Sequence, residues 1–148
     1  QFLEPRCSIC SSAFRDLTEH VFLESGKKPQ SVIQFFAHYF DAMRQKIEAY
    51  GSTFFPRANG RPLYGSLVIV VSIDSQGRIA PNAQGKDGVS IGRSSGNPEL
   101  DRQALAIVRA SAPFGPFPTE MRNQIDVLDW ISTFDFGREG ADRLELKH

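Results

Sequence analysis

The sequence predicts an α+β fold organised around one small antiparallel sheet, and three observations carry that prediction. Gly65–Arg78 reads GSLVIVVSIDSQGR: six of the seven residues from Leu67 to Ile73 are apolar and five are β-branched. Branched side chains pack well on a pleated surface, and a run of seven is short for a helix. Asp74-Ser75-Gln76-Gly77 follows with turn chemistry, Gly77 being free to take a positive φ. Before this hairpin stands an amphipathic helical pattern. After it come a second strand, a second helix and an aromatic-rich last strand.

Each element has its own signal. The first helix spans Ser31–Tyr50, where Val32, Phe35/Phe36, Tyr39/Phe40, Met43, Ile47 and Tyr50 recur every three or four residues. Ser31 is the expected N-cap and Gly51 the expected stop. Thr53–Tyr64, TFFPRANGRPLY, is a connector with two prolines and an Asn-Gly pair. Its three aromatics are more than loops usually carry, so it is expected to pack on the body. Past Arg78-Ile79, the polar stretch Ala80–Gly88 interrupts or precedes the second strand, which is read over residues 88–94. Asn97-Pro98 opens the second helix, with Asn at the N-cap, Pro at the first helical position and Glu99 and Asp101 in the first turn. Leu100, Ala104, Ile107/Val108 and Ser111 form its inner stripe. Pro113 ends it, and Pro113–Pro118, PFGPFP, is too rigid for helix or central strand.

The last strand is read over Gln124–Phe136. Leu128, Trp130, Ser132, Phe134 and Phe136 fall on one face; Ile125, Val127, Asp129, Ile131, Thr133 and Asp135 fall on the other. The predicted core joins Leu100, Ile107 or Val108, Trp130 and one parity of Leu67/Ile69/Val71/Ile73. Gly137–His148 is charged and expected to fray. At the other end, Gln1–Gln30 has the weakest pattern. Phe14, Leu17 and Val21 have helical spacing, Thr18–His20 suits a short helix, and Ser25–Pro29 reads as a break. The segment reads as a linker remnant, vector-derived sequence or a short docked helix.

Composition narrows the function. With 148 residues the chain is one domain with some thirty residues to spare. Seventeen basic residues balance seventeen acidic ones, which argues against a dominant nucleic-acid or anionic-membrane surface. No stretch approaches a membrane span. The start, QFLEPRCSIC, has no signal-peptide pattern, and an initial Gln is expected of a processed or excised chain. Cys7 and Cys10 form a single C-x-x-C. Zinc needs four ligands, His20, His38 and His148 have no metal spacing, and no βαβ unit is present for a redox motif. A structural role is expected, with a local disulfide as the alternative; no metal or cofactor is expected.

Two further motifs have plain structural readings. Gly88-Val89-Ser90-Ile91-Gly92 matches the nucleophile elbow of serine hydrolases, but an elbow needs strand, sharp turn and helix in immediate succession. Ser90 sits inside an alternating strand, and the next helix opens only at Pro98. Pro113–Pro116 is a P-x-x-P whose simplest job is to end one element and launch the next. His38 reads as a surface or packing residue. Nothing assembles a reacting centre, so the residues favour a binding module over an enzyme.

From Phe55-Pro56 onward the order of features resembles the C-terminal domain of TonB. The resemblance is carried by the aromatic-Pro pair, Gly65 opening an apolar strand and the turn Gln76-Gly77-Arg78. It continues through Arg93-Ser94-Ser95-Gly96 ahead of Leu100-Asp101, then Ala112-Pro113-Phe114, Phe117-Pro118 and the aromatic last strand. It covers about eighty residues. The helix ahead of the aromatic-Pro pair looks like longer TonB-like proteins of pseudomonads. Departures are the lengthened hairpin region, a shortened Pro56–Gly65 segment, and an N-terminal stretch not rich in Pro and Lys.

The resemblance implies a periplasmic domain with a three-stranded antiparallel sheet and two helices packed on one face. It implies residues 1–30 as an extension or linker remnant, 31–137 as the TonB-like domain and 138–148 as a tail. Such domains hang from an inner-membrane helix, absent from this chain, and draw on the proton gradient through ExbB and ExbD. They grip the TonB box and plug of outer-membrane transporters for iron-siderophores, haem or cobalamin by strand addition. The site residues carried over are Phe55, Pro56, Arg57, Gln124, Ile125, Asp126, Val127, Leu128, Asp129, Trp130, Ile131, Ser132 and Thr133. No nucleic-acid partner is implied, and a homodimer is left open. A TolA-like structural envelope domain is the alternative binding-class reading; a hydrolase built on Ser90 is the enzymatic one.

Overall fold

The computed structural model describes residues 4–9, 30–81, 88–123 and 125–138, with residues 30–33 as backbone only. Strands β1 (Pro5–Ile9), β4 (Gly65–Asp74), β5 (Val89–Arg93) and β6 (Val127–Arg138) form one antiparallel sheet in the order β1-β6-β4-β5. Helices α1 (Gln30–Thr53) and α2 (Pro98–Ser111) supply the apolar stripes that complete the core, and a single turn, α3 (Thr119–Arg122), leads into β6. A separate two-stranded ribbon pairs β2 (Arg57–Ala58) with β3 (Arg61–Pro62).

The β4–β6 ladder is the spine. It runs without a slip from Gly65↔Phe136 to Asp74↔Val127. Its inner face buries Leu67, Ile69, Val71 and Ile73 from β4 and Leu128, Trp130, Phe134 and Phe136 from β6. Against it lie Phe36, Tyr39, Phe40, Met43 and Ile47 of α1 and Leu100, Ala104, Ile107 and Val108 of α2. The predicted core is therefore observed, and Trp130 lies fully buried within it, edge-on to Phe40 at 5.4 Å between ring centroids. The Trp130 indole N–H has no acceptor among the described residues.

The second strand is interrupted, and the ladder shows how. Asp74 N–H donates to Arg78 C=O at 2.9 Å, Ile73 bridges Ile79, and Val71 then pairs with Val89. Between them, Ser72 holds both ends of the excursion. Its C=O accepts Ala80 N–H at 3.0 Å and its N–H donates to Gly88 C=O at 2.7 Å. The strand thus breaks off at Ala80 and resumes in step at Gly88. Residues 82–87 of the polar stretch lie outside the described residues. Gly88 is required here because a Cβ would stand 2.4 Å from Ala80 O.

The hairpin turn and the proline-rich segment fold onto each other. Gly77 has φ 82° and donates to Asp74 C=O, while Phe114 and Phe117 N–H donate to Gly77 and Ser75 C=O at 2.8 Å. Tyr39 reaches across from α1 to Gly115 C=O at 2.7 Å, and Lys46 to Pro113 C=O at 2.6 Å. Burial, then the Asp74 charge, push the Tyr39 hydroxyl up to about 12, keeping it a donor. The segment that sequence analysis read as a rigid breaker is thus also a wedge between hairpin and helix.

Several expectations need correction. The main sheet has four strands, not three: Pro5–Ile9 adds β1, which only Cys7 and Ile9 bury, too short a signal to read among the first thirty residues. Helix α1 begins at Gln30, so Ser31 lies inside it rather than at its cap. Gly51 does not stop α1 but lies buried in its last turn. The connector contains a hairpin, because Asn59 and Gly60 both take positive φ (55° and 78°), the geometry of a two-residue primed turn. The last strand starts at Val127 rather than Gln124. By contrast Asn97 caps α2 as expected, its side chain accepting Glu99 N–H at 3.0 Å, with Pro98 in the first turn. The readings placed on residues 10–29, including Phe14, Leu17, Val21 and Cys10, lie outside the described residues, as do those on 139–148.

Two predictions follow from the turn. In Gly77→Ala the new methyl would meet Gly115 O at 2.2 Å in a conformation that disfavours a side chain. Chemical denaturation should show a loss of roughly 2–4 kcal/mol; an unchanged midpoint would show that the wedge is not rigid. The second concerns acid. Burial would raise the Asp74 carboxyl, but backbone N–H donors from Arg78 and Gln76, at 3.0 and 2.9 Å, outweigh it and hold it below the usual range. A depressed folded pKa means stability that is present above the unfolded value of about 3.9 and is lost as pH falls below it. Asp74→Asn should therefore flatten the acid limb of the stability–pH curve, read by thermal melts from neutral pH downward.

Candidate functional site

Hydrogen-bond parity along β4 fixes which way β6 presents its backbone. Ser72 and Asp74 direct their main-chain groups toward the returning strand, so the alternate residues of β4 face β6. Across the ladder, Leu128, Trp130 and Ser132 bond back to β4, opposite Ile73, Val71 and Ile69. Val127, Asp129, Ile131 and Thr133 therefore aim their main-chain N–H and C=O groups outward, as do Asp135 and Gly137.

Strand β1 takes up the far end of that outward row. It pairs antiparallel from Pro5↔Arg138 to Ile9↔Phe134, with Arg6 and Ser8 set opposite Gly137 and Asp135. Its own outer edge is closed by α1: Cys7 N–H donates to Ser52 Oγ at 3.1 Å and Ile9 N–H to Glu48 Oε2 at 2.7 Å. Arg44 holds that carboxylate through Oε1 at 2.9 Å. Cys7 is a fully buried free thiol. Burial, followed by the Glu48 and Asp135 charges, pushes it far above the usual thiol range, so it stays protonated and unreactive. It fits a notch at Gly51, where a Cβ would lie 2.9 Å from its Sγ.

Among the described residues no strand lies beyond Val127–Thr133. Among the described residues the last strand is thus an edge over its first half and an interior strand over its second. Val127 and Ile131 are each 42% exposed on the helix-free face of the sheet, where Val68 and Val70 are half-buried. Two hydroxyl–carboxylate pairs cross the same face: Ser72 to Asp129 at 2.7 Å and Ser66 to Asp135 at 2.6 Å. They fix both carboxylates along the strand, a charge device that discourages uncontrolled strand pairing.

The carried-over residues separate into three groups. Asp129, Ile131 and Val127 are exposed and Thr133 is half-buried, all with outward backbone. Leu128, Trp130 and Ser132 lie on the same strand with buried side chains. Ile125 is half-buried and Asp126 exposed, both just ahead of the strand; Gln124 lies outside the described residues. Phe55 and Pro56 are buried, Phe55 packing at 5.6 Å on Phe136 and 5.8 Å on Tyr64. Arg57 is exposed, its backbone bracketed by the Gln103 side chain at 3.0 and 2.8 Å. Beside it Phe54 is 61% and Tyr64 42% exposed, and the Arg138 guanidinium covers the Tyr64 ring at 5.4 Å. The sequence showed the aromatics of this connector but not which of them face outward.

Ser90 lies mid-strand opposite Val70, and α2 begins only at Pro98, so no elbow forms around it. No group of metal-ligating side chains occurs among the described residues.

The described residues form an α+β domain with a half-open strand edge. A family model described as Gram-negative bacterial TonB protein C-terminal matches residues 52–130, just over half of the sequence, and the chain belongs to that family. No curated protein and no solved structure matches it. The family is a non-enzymatic, periplasmic transduction domain that works with outer-membrane transporters. The matched span ends at Trp130 and begins at Ser52; β1, most of α1 and the second half of β6 lie beyond it.

The latch between β1 and α1 gives a prediction. Gly51→Val should drive Cys7 from its notch, costing roughly 1–3 kcal/mol, with faster amide exchange in Arg6 and Ser8. Adding Cys7→Ala should recover part of the loss; no recovery would place the damage elsewhere in α1.

Proposed function

We propose that this domain binds the TonB box of outer-membrane transporters by strand addition at the outer edge of β6. The carrying observation is the outward row of main-chain groups at Asp129, Ile131 and Thr133, beyond which no described strand lies. Main-chain bonds supply affinity in such a complex, and side chains at alternate positions supply selection. A partner residue set beside Ile131 shares the sheet face with Val70, which favours a β-branched apolar side chain there. Asp129 disfavours an acidic neighbour. Arg57 and the exposed Phe54 and Tyr64 offer a second contact for the transporter plug.

In this reading the domain couples the inner-membrane proton gradient to uptake of iron-siderophores, haem or cobalamin, through an N-terminal anchor and the ExbB–ExbD complex. Residues 31–137 form the TonB-like unit, residues 1–30 an extension that docks through β1, and 138–148 a charged tail. A homodimer using the same edge would compete with the transporter. The family match favours this reading over a TolA-like structural role.

Proline at Ile131 tests it, because Pro removes an outward N–H and leaves the bonds of Trp130 and Ser132 to β4 in place. Ile131→Pro should weaken TonB-box peptide binding by about tenfold or more while circular dichroism shows the fold retained. Ser90→Ala should bind as wild type. Equal binding by a folded Ile131→Pro variant would rule out strand addition here and turn attention to the connector.

A further inference from the structure

Strand β1 covers part of the edge to which the proposed function assigns the partner. Two outcomes are conceivable when a partner strand arrives: it displaces β1 and takes the whole of β6, or it stops where β1 begins. From the way β1 is held, we infer that it is a fixed part of the domain which sets the length and register of the docking site. The site is then Val127–Thr133, and the partner strand lies end to end with β1. This inference rests on the strand-addition reading.

The argument starts from what β1 would lose by leaving. Cys7 is fully buried and Ile9 nearly so, although they sit on a strand of five residues. Gly51 has no side chain at the point where any Cβ would crowd Cys7, so helix and strand are matched in shape. The outward N–H groups of Cys7 and Ile9, which would otherwise mark β1 as a new edge, are taken by Ser52 and Glu48. Glu48 is in turn held by Arg44. An incoming chain could replace the main-chain bonds that Arg6 and Ser8 make. It would also have to refill the Cys7 notch and satisfy Ser52 and Glu48. Among the described residues nothing comparable opposes a strand on Val127–Thr133.

The bound chain is thereby limited. Seven residues of β6 at a strand rise of about 3.3 Å give a footprint of roughly 20 Å. Longer extended segments gain no further ladder bonds on this strand, because β1 and the α1 side chains behind it close the row. Register follows as well. The end of the partner nearest Thr133 abuts Ile9, so a slip of two residues in that direction is blocked.

Amide hydrogen exchange on the full chain tests this, using short synthetic peptides that carry TonB boxes of outer-membrane transporters. On peptide addition, protection should rise at Asp129, Ile131 and Thr133 while the amides of Arg6 and Ser8 exchange at their unliganded rates. A second measurement uses Glu48→Ala, which loosens β1 without touching β6. Its peptide affinity should stay within about twofold of wild type. Loss of protection at Arg6 and Ser8 on binding would show that the partner displaces β1 and would overturn the inference, leaving strand addition intact. Tightening by about tenfold in Glu48→Ala would overturn it likewise. A peptide that binds without changing protection anywhere on β6, or no binding at all, would overturn both the inference and the strand-addition reading.

Discussion

The β4–β6 ladder is the constraint from which the rest of this domain follows. Pairing Val71 with Trp130 and Ile69 with Ser132 puts one parity of each strand into the core and commits the other to the open face. Because side chains alternate strictly, a slip of one residue would bring Asp129 and Ile131 inside and turn Trp130 out. The same parity decides which backbone groups of β6 are spent on β4 and which remain for a partner. Core and outer edge are therefore two readings of one register, and neither can change without the other.

Much of this was legible in the chain. The apolar run of β4, the α1 stripe and the Asn97-Pro98 start of α2 each carry a periodicity or a cap that depends on near neighbours alone. The inner face of β6 could be read from Leu128, Trp130, Phe134 and Phe136 because burial enforces alternation. The location of Ser90 on a strand was also readable, and with it the weakness of the hydrolase motif.

What was not legible depends on residues far apart in sequence. Strand β1 is a strand because β6 has an edge to offer and because Ser52, Glu48 and Gly51 complete its other side; PRCSI by itself has only two positions to bury. Gly51 looked like a helix stop since the reason for it, Cys7, lies forty-four residues earlier in the chain. Phe55 and Tyr64 are both aromatics of one connector, yet only tertiary packing on Phe136 separates the buried ring from the exposed one. The candidate site suffers the same limit: the strand that carries it could be named, but its closed half could not.

Ser72 has a consequence of another kind. One residue receives the chain as it leaves the strand at Ala80 and again as it re-enters at Gly88, so the sheet registers no difference between a short detour and a long one. The entropic cost of lengthening such a closed loop grows only with the logarithm of its length. The stretch between these two anchor points is thus a natural splice position. Material grafted there, a reporter or an affinity handle, would hang from a neutral seam of the sheet and leave the ladder that fixes the edge of β6 undisturbed.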